Sequence, residues 1–474
     1  MLKEPRRAAA SAVVFGLGLA LVLLVACAGQ PVPPPGGKVP EPFGRGINFA
    51  NALEAPNEGD WGVTLQEGYA EAVRSAGFQT VRLPVKWSAH ASAVAPYTVE
   101  PAFFARVDEV VGWIIERGMN VIVDFHHYDE LHEDPAGHAE RWLAIWRQIA
   151  EHYQDAPDTV LFELLNEPHG ALDIDAWNDL VPQALAVVRE TNPSRWVVVG
   201  PTDFNSIGAL PSLAWPADDR LVLTVHYYDP FYFTHQGAEW VEPAPPVGTT
   251  WTGTRVTPSP AMTDWSWDTT RAYGDALTLT FDAAWAGYYL KPFGALLGFD
   301  ELAFTTSRAV ELLVACGPED ENVSVAVDTE AGVETVVDLA ECGAAGGVAR
   351  VVLQNRTAVP QAPFVLQSIE LRSDDPRFSV LPLLVTETEA VEAAFDFLKG
   401  WAGANGAPPV LVGEFGAYSK TDMASRVRWT RTVRQALEAR GLNWAYWEFA
   451  DGFGAYDPVA EAWRTGLLDA LVGD

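Results

Sequence analysis

Positive charge is in short supply in this chain. Lys and Arg number 31 against 63 Asp and Glu in 474 residues, for a formal net charge of −32. Nucleic-acid binding needs a basic face to meet phosphates, so that class of partner is excluded. An anionic polymer is disfavoured on the same ground, while an uncharged one is compatible. Cysteine is nearly absent, with Cys27, Cys316 and Cys342 the only three. The one histidine-rich run, His126-His127-Tyr128-Asp129-Glu130-Leu131-His132, lacks the HExxH spacing that sets two ligands on one helical face. A strand-end loop is therefore the better reading there than zinc, and no metal is expected at the site. No Gly-rich phosphate fingerprint follows the first apolar run, which weighs against an open doubly wound nucleotide fold.

What is present begins with a targeting segment. Lys3, Arg6 and Arg7 precede an apolar stretch that runs to Ala26. Leu24-Val25-Ala26-Cys27 resembles a bacterial lipobox, which implies a signal peptide over 1–26 and lipid on Cys27. Residues 27–42 supply the lipidated Cys and a Pro/Gly tether. An exported, membrane-anchored lipoprotein is the expectation. Export also permits a disulfide between Cys316 and Cys342, with two buried thiols as the alternative.

From residue 43 short apolar runs alternate with amphipathic helical patterns. The runs are 46–53, 80–85, 120–127, 159–167, 195–201 and 221–228, and two more follow at 409–417 and 443–450. Continuous apolar runs of this length read as buried parallel strands. Eight of them with helices between predict an α/β fold, a (β/α)8 TIM barrel, over 43–253 and 382–474. Between 254 and 381 no long amphipathic helix occurs. Short β-like stretches separated by polar turns predict an inserted antiparallel β-sandwich there. Because the insert follows the sixth strand, it is expected beside the catalytic face.

Polar residues collect at the ends of the proposed strands. Arg82 ends the second, His126 and His127 the third, and Asn166 with Glu167 the fourth. His226 and Tyr228 end the sixth, Glu414 ends the seventh, and Trp447 lies on the eighth. In a parallel barrel, an acid at a C-terminal strand end reads as catalytic. Two acids facing one bond are the minimum apparatus for cutting a glycoside. The 18 tryptophans suit the stacking of apolar sugar faces, although large cores also use them. Glu163 and Glu448 are expected to be structural.

NEP at 166–168 and GEF at 413–415, together with TVRLPV, DFHHYDE, VHYYDP and AYWEF, resemble glycoside hydrolase family 5 of clan A. GRGINFANALEAPNEGDWG, FTHQGAEWVE and YWEFADGFGAYDP resemble its bacterial endo-β-1,4-glucanase and mannanase members. The resemblance implies Glu167 as acid/base and Glu414 as nucleophile. It places Arg82, Asn166, His126, His226 and Tyr228 around them, and His127, Trp447, His235, Trp240 and Asn48 on the substrate. It implies a retaining endo-β-1,4-glycanase acting on β-1,4-glucan, with mannan or glucomannan as the second substrate. It needs no cofactor and is expected to be a monomer. A non-catalytic glycan-binding surface lipoprotein is the reading from another class.

The insert is similar to a carbohydrate-binding module in length and texture. Trp265, Trp267, Trp285 and Tyr288 are its candidate contacts, with packing in a core or domain interface as the alternative. A structural calcium in the sandwich is left open.

Overall fold

The structure is a computed structural model and describes residues 43–292, 294–375, 380–406 and 408–473. The expected targeting segment, Cys27 and the expected tether fall outside those residues.

Six strands come first: β1 (Arg45–Asn48), β2 (Thr80–Val85), β3 (Asn120–Phe125), β4 (Val160–Glu163), β5 (Val197–Val199) and β6 (Leu221–His226). Their runs of Val, Ile and Leu are buried at nearly every position, because helices cover one face and the barrel interior the other. The chain then leaves the barrel.

The insert strands are β7 (Val256–Pro258), β8 (Met262–Asp264), β9 (Thr269–Tyr273), β10 (Leu277–Phe281), β11 (Gly287–Pro292), β12 (Glu301–Thr306), β13 (Glu311–Ala315), β14 (Val325–Asp328), β15 (Glu334–Asp338), β16 (Val351–Asn355), β17 (Gln361–Arg372), β18 (Val380–Pro382) and β19 (Leu384–Thr386). One sheet runs β15-β12-β17-β10-β9, with β18 also on β17, and the other runs β14-β13-β16-β11-β8. Leu279, Phe304, Leu312, Leu353 and Tyr288, drawn from both sheets, form one core between them. A disulfide joins Cys316 to Cys342, with Cα atoms 5.2 Å apart.

The insert's own pairing ends at Thr386, a few residues later than its composition suggests. There β19 pairs antiparallel with β7, matching Val256 to Thr386 and Pro258 to Leu384. Thr386 is also the N-cap of the helix Glu387–Ala404, in a reciprocal capping box with Glu389. The insert thus hands the chain directly back to the barrel.

The barrel closes with β20 (Val410–Glu414) and β21 (Asn443–Tyr446), in the order β1-β2-β3-β4-β5-β6-β20-β21. All eight strands are parallel. β20 pairs with β6 with a register shift between Val412 and Glu414, which sets Glu414 opposite His226. Gly413 permits that approach. A Cβ there would stand 2.7 Å from Thr224 Oγ1 and 3.2 Å from His226 Nε2.

Candidate active site

Arg82 on β2 is the hub of the barrel's C-terminal end. Its guanidinium is fully buried and spends its rigid fork of donors on four partners. Nε and Nη2 clamp Glu163 at 2.7 and 2.8 Å, and Nη1 reaches Glu414 Oε1 at 2.6 Å and Asn48 Oδ1 at 3.1 Å. Nη2 also donates to Asn166 Oδ1 at 2.8 Å and lies 3.1 Å from Asp124 Oδ2. One cation among three buried carboxyls cannot offset their desolvation. Burial pushes Asp124 up to about 7 and Glu163 upward, against the pull of Arg82.

Glu414 ends β20 and receives a second donor, the Tyr228 hydroxyl, at 2.8 Å from Oε2. Burial raises it to about 7, while His226, Arg82 and Tyr228 pull it down and Glu167 pushes it up. Glu167 follows β4, and a quarter of its side chain is exposed. Its Oε1 lies 2.7 Å from His226 Nδ1. Burial raises it to about 7, against Arg82 and His169. A carboxylate oxygen of Glu167, one of Glu414 and a ring nitrogen of His226 all lie within 4.8 Å of one another.

That trio is the one group of three such side chains among the described residues close enough to suggest a metal. Its geometry favours a proton instead. The 2.7 Å contact between His226 and Glu167 is a hydrogen bond, shorter than the spacing of two ligands around one ion. The Arg82 cation also already sits on Glu414.

His226 is held neutral, its pKa lowered to about 4 by burial. Asn205 Nδ2 stands 3.3 Å from Nε2. An amide nitrogen only donates, so Nε2 accepts and Nδ1 carries the hydrogen that goes to Glu167. Asn205 is fully buried. It reaches this position from three successive left-handed residues, Asp203, Phe204 and Asn205, at φ 56, 60 and 55°. Such a conformation is costly for residues other than Gly and persists only where the surroundings enforce it.

The cleft walls are aromatic. Trp447 is half-buried just beyond β21, and its ring is parallel to His126 within 7° at 5.5 Å. His127 meets exposed Trp61 edge-on at 5.7 Å. Beyond Tyr228, buried His235 packs edge-on to it at 4.9 Å, and exposed Trp240 packs on Tyr418.

Three expectations need correction. Asn48 does not face a ligand: it is fully buried, with Nδ2 on the carbonyls of Gly413, Ala445 and Tyr446. Barrel closure wraps it in β20 and β21, so it ties Arg82 to the seam. His126 shares no hydrogen bond with either acid. Its Nδ1 is 2.6 Å from Asp124, and its ring supports Trp447. Tyr288 lies inside the sandwich core, while Trp265 and Trp285 are half exposed and Trp267 is partly so. Three contributors escaped the sequence reading: Asp124, Asn205 and Trp61. Asp124 left a signal as the acid interrupting the apolar run NVIVDF, and Trp61 stands in the motif GRGINFANALEAPNEGDWG.

A closed (β/α)8 barrel carrying two carboxyls at its C-terminal strand ends is the frame of a glycoside hydrolase. The comparisons agree. Residues 43–273 match the family model of cellulase, glycosyl hydrolase family 5. Endoglucanase H of Acetivibrio thermocellus is 41% identical over 194 residues, which is 41% of this chain and 22% of that protein's length. A solved endoglucanase is 31% identical, covering 91% of this chain and 97% of its own, with a TM-score of 0.62. Thermotoga maritima Cel5A has been solved with mannotriose and with cellobiose. In both complexes it is 32% identical, covering 90% and 97%, with a TM-score of 0.61. The chain belongs to glycoside hydrolase family 5.

Proposed function

We propose that the chain is a retaining endo-β-1,4-glucanase. The observation that carries this is the approach of the two carboxyls, with oxygens of Glu167 and Glu414 within 4.8 Å. Retaining enzymes hold their pair at about 5–5.5 Å, whereas inverting enzymes leave roughly 6.5–9.5 Å for a water.

The two environments divide the labour. Arg82 and Tyr228 both bond the charged form of Glu414, so it is the first to ionise and acts as the nucleophile. Its negative charge helps keep the proton on Glu167. Because His226 Nδ1–H occupies Oε1 of Glu167, the acid proton sits on Oε2, from which it passes to the glycosidic oxygen. Attack by Glu414 on the anomeric carbon breaks the bond to the leaving sugar, which takes that proton. Glu414 is neutralised in the ester, the pKa of Glu167 falls, and Glu167 then draws a proton from water as the water cleaves the ester. Asn166, oriented by Arg82, holds the sugar 2-hydroxyl, and Trp447 stacks the ring.

β-1,4-glucan is the proposed substrate, in line with the endoglucanase relatives. The mannotriose complex of Thermotoga maritima Cel5A supports β-mannan or glucomannan as a second reading. Parallel digests of carboxymethylcellulose, mixed-linkage glucan and mannan decide, and turnover of mannan alone would remove the glucanase assignment. Proton NMR of the first products tests the mechanism, since retention gives the β-anomer before mutarotation. A glycan receptor without catalysis is the reading that no turnover on any of these polymers would favour. Export with lipid on Cys27 is part of the same proposal. Globomycin, which blocks lipoprotein signal cleavage, should cause the unprocessed form to accumulate.

A further inference from the structure

The two outer faces of the inserted sandwich are unlike each other. On one sheet the outward positions carry no aromatic ring: Thr278, Thr280, Gln367 and Glu370 stand there with Val336, Val365 and Ala303. On the other sheet, alternation from the core residues Met262, Tyr288, Leu290, Val351 and Leu353 turns Trp265, Trp267, Tyr289, Lys291, Val352 and Gln354 outward. A solvated face has no use for two indoles there. Yet Tyr289, Val352 and Gln354 are almost buried although they point out, because other side chains lie over them.

Trp267 is fixed flat on this face. Its six-membered ring covers Gly287 so closely that a Cβ there would come within 2.4–2.8 Å of the ring atoms. Its Nε1 donates to the Trp285 carbonyl at 2.8 Å, and Tyr289 stands perpendicular to it, with ring centroids 6.3 Å apart. The polar rim is internally paired. Tyr289 donates to Glu319 at 2.5 Å and Lys291 to the same oxygen at 2.8 Å, while the Lys291 ammonium lies 5.2 Å from the ring of half-exposed Trp265. The rim thus offers hydrogen-bonding groups without a net charge to be met.

We propose that this face, built on Trp265, Trp267 and Tyr289, is a second glycan-binding surface for a neutral β-linked polysaccharide chain. This rests on reading the barrel as a β-glycanase. Equatorially substituted pyranose rings present flat C–H faces that stack on an indole and place their hydroxyls at its edge, where the Glu319 and Lys291 pair lies. A second copy of this chain fits less well, because each copy brings a net charge of −32. β8 carries Asp264 into a crevice of about 290 Å³ shared with Asp229, Tyr232 and Val391, which marks the seam between the insert and the barrel, and continues directly into Trp265 and Trp267.

The test uses the whole enzyme carrying Glu414→Gln, run in native gels containing hydroxyethylcellulose or glucomannan. Trp265→Ala, Trp267→Ala and Gly287→Val are each expected to weaken retardation about tenfold. With Glu414 restored, turnover of a short soluble aryl cello-oligosaccharide should be unchanged. Trp265 is half exposed, so its variant keeps the test valid if the others fail to fold. Retardation equal to the parent's in Trp265→Ala and in every variant that folds overturns the proposal. So does loss of a concentration-dependent dimer in sedimentation without loss of retardation. Absence of hydrolysis with retardation still dependent on the indoles would sink the glycanase reading and leave this surface standing.

Discussion

The side-chain amide of Asn205 donates to Nε2 of His226 across 3.3 Å, and the opposite ring nitrogen serves Glu167 at 2.7 Å. A residue remote from the substrate thereby decides which oxygen of the acid carries the proton. Replacing Asn205 with Asp puts an acceptor against Nε2. The imidazole then either gives up its Nδ1 hydrogen or becomes charged, and both weaken Glu167 as an acid. Hydrolysis of polymer is expected to fall about 100-fold. Aryl glycosides with a good leaving group need little protonation and should lose far less. Equal losses on both substrates would reduce Asn205 to a structural role.

Glu167→Gln and Glu414→Gln should separate the two half-reactions. Without the nucleophile, both polymer and activated aryl glycosides are lost, by roughly 10⁴-fold or more in kcat. Without the acid/base, the first step survives on a dinitrophenyl glycoside, which should give a burst of phenolate followed by slow turnover. Stopped-flow absorbance resolves the burst, and a burst in the Glu414 variant would reverse the assignment.

The pH profile follows from the carboxyl environments. Burial raises both acids to about 7 and the Arg82 charge draws both down, but Arg82 and Tyr228 donate hydrogen bonds to Glu414 and not to Glu167. In the proposed mechanism activity needs Glu414 ionised and Glu167 protonated, so kcat/KM should trace a narrow bell around neutrality. Its limbs belong to the pair rather than to either residue. Removing the hydroxyl in Tyr228→Phe takes away a bond to the charged nucleophile and should move the acid limb upward by about one unit. A stationary acid limb would show that the hydroxyl does not tune Glu414.

A second carboxyl pair bears on stability. Glu54 and Glu448 are buried and meet at Asn51, with no cation beside either among the described residues; burial raises each to about 8. Their folded pKa exceeds the unfolded value of about 4.5. The stability they contribute is therefore complete below about pH 4.5 and is lost as pH rises toward 8. Glu448→Gln cannot ionise. Its melting temperature, relative to the parent's, should rise steadily between pH 5 and 8, and a flat difference would deny the linkage.

The barrel was legible because its strands are uninterrupted runs of Val, Ile and Leu, and the acids stand where those runs end. The edges of the sandwich were not. β9, Thr-Thr-Arg-Ala-Tyr, is mostly exposed, and β11 is hemmed by Gly287 and Pro292, so neither shows an apolar period. Of the adjacent Tyr288 and Tyr289, only the strand register decides which is core and which faces out. Asn48 looked like a strand-end ligand because nothing local announces the carbonyls that β20 and β21 bring over it. Asn205 owes its place to a left-handed turn without glycine, for which no residue pattern stands as a sign.

The pairing of β6 with β20 sets a schedule for folding. His226 leaves a synthesising complex long before Val410 exists, on the order of ten seconds or more earlier. Through that interval the barrel has an open edge, with unpaired backbone groups along β6 that invite pairing with another chain. The β7–β19 ribbon shortens the danger. Once the sandwich has folded, its two ends are held side by side, and the entropy of closing so long a loop has already been met. The last two strands then arrive as if the insertion were a short turn. Weakening the ribbon should therefore cost yield and aggregation resistance during production well before it costs anything in the finished enzyme.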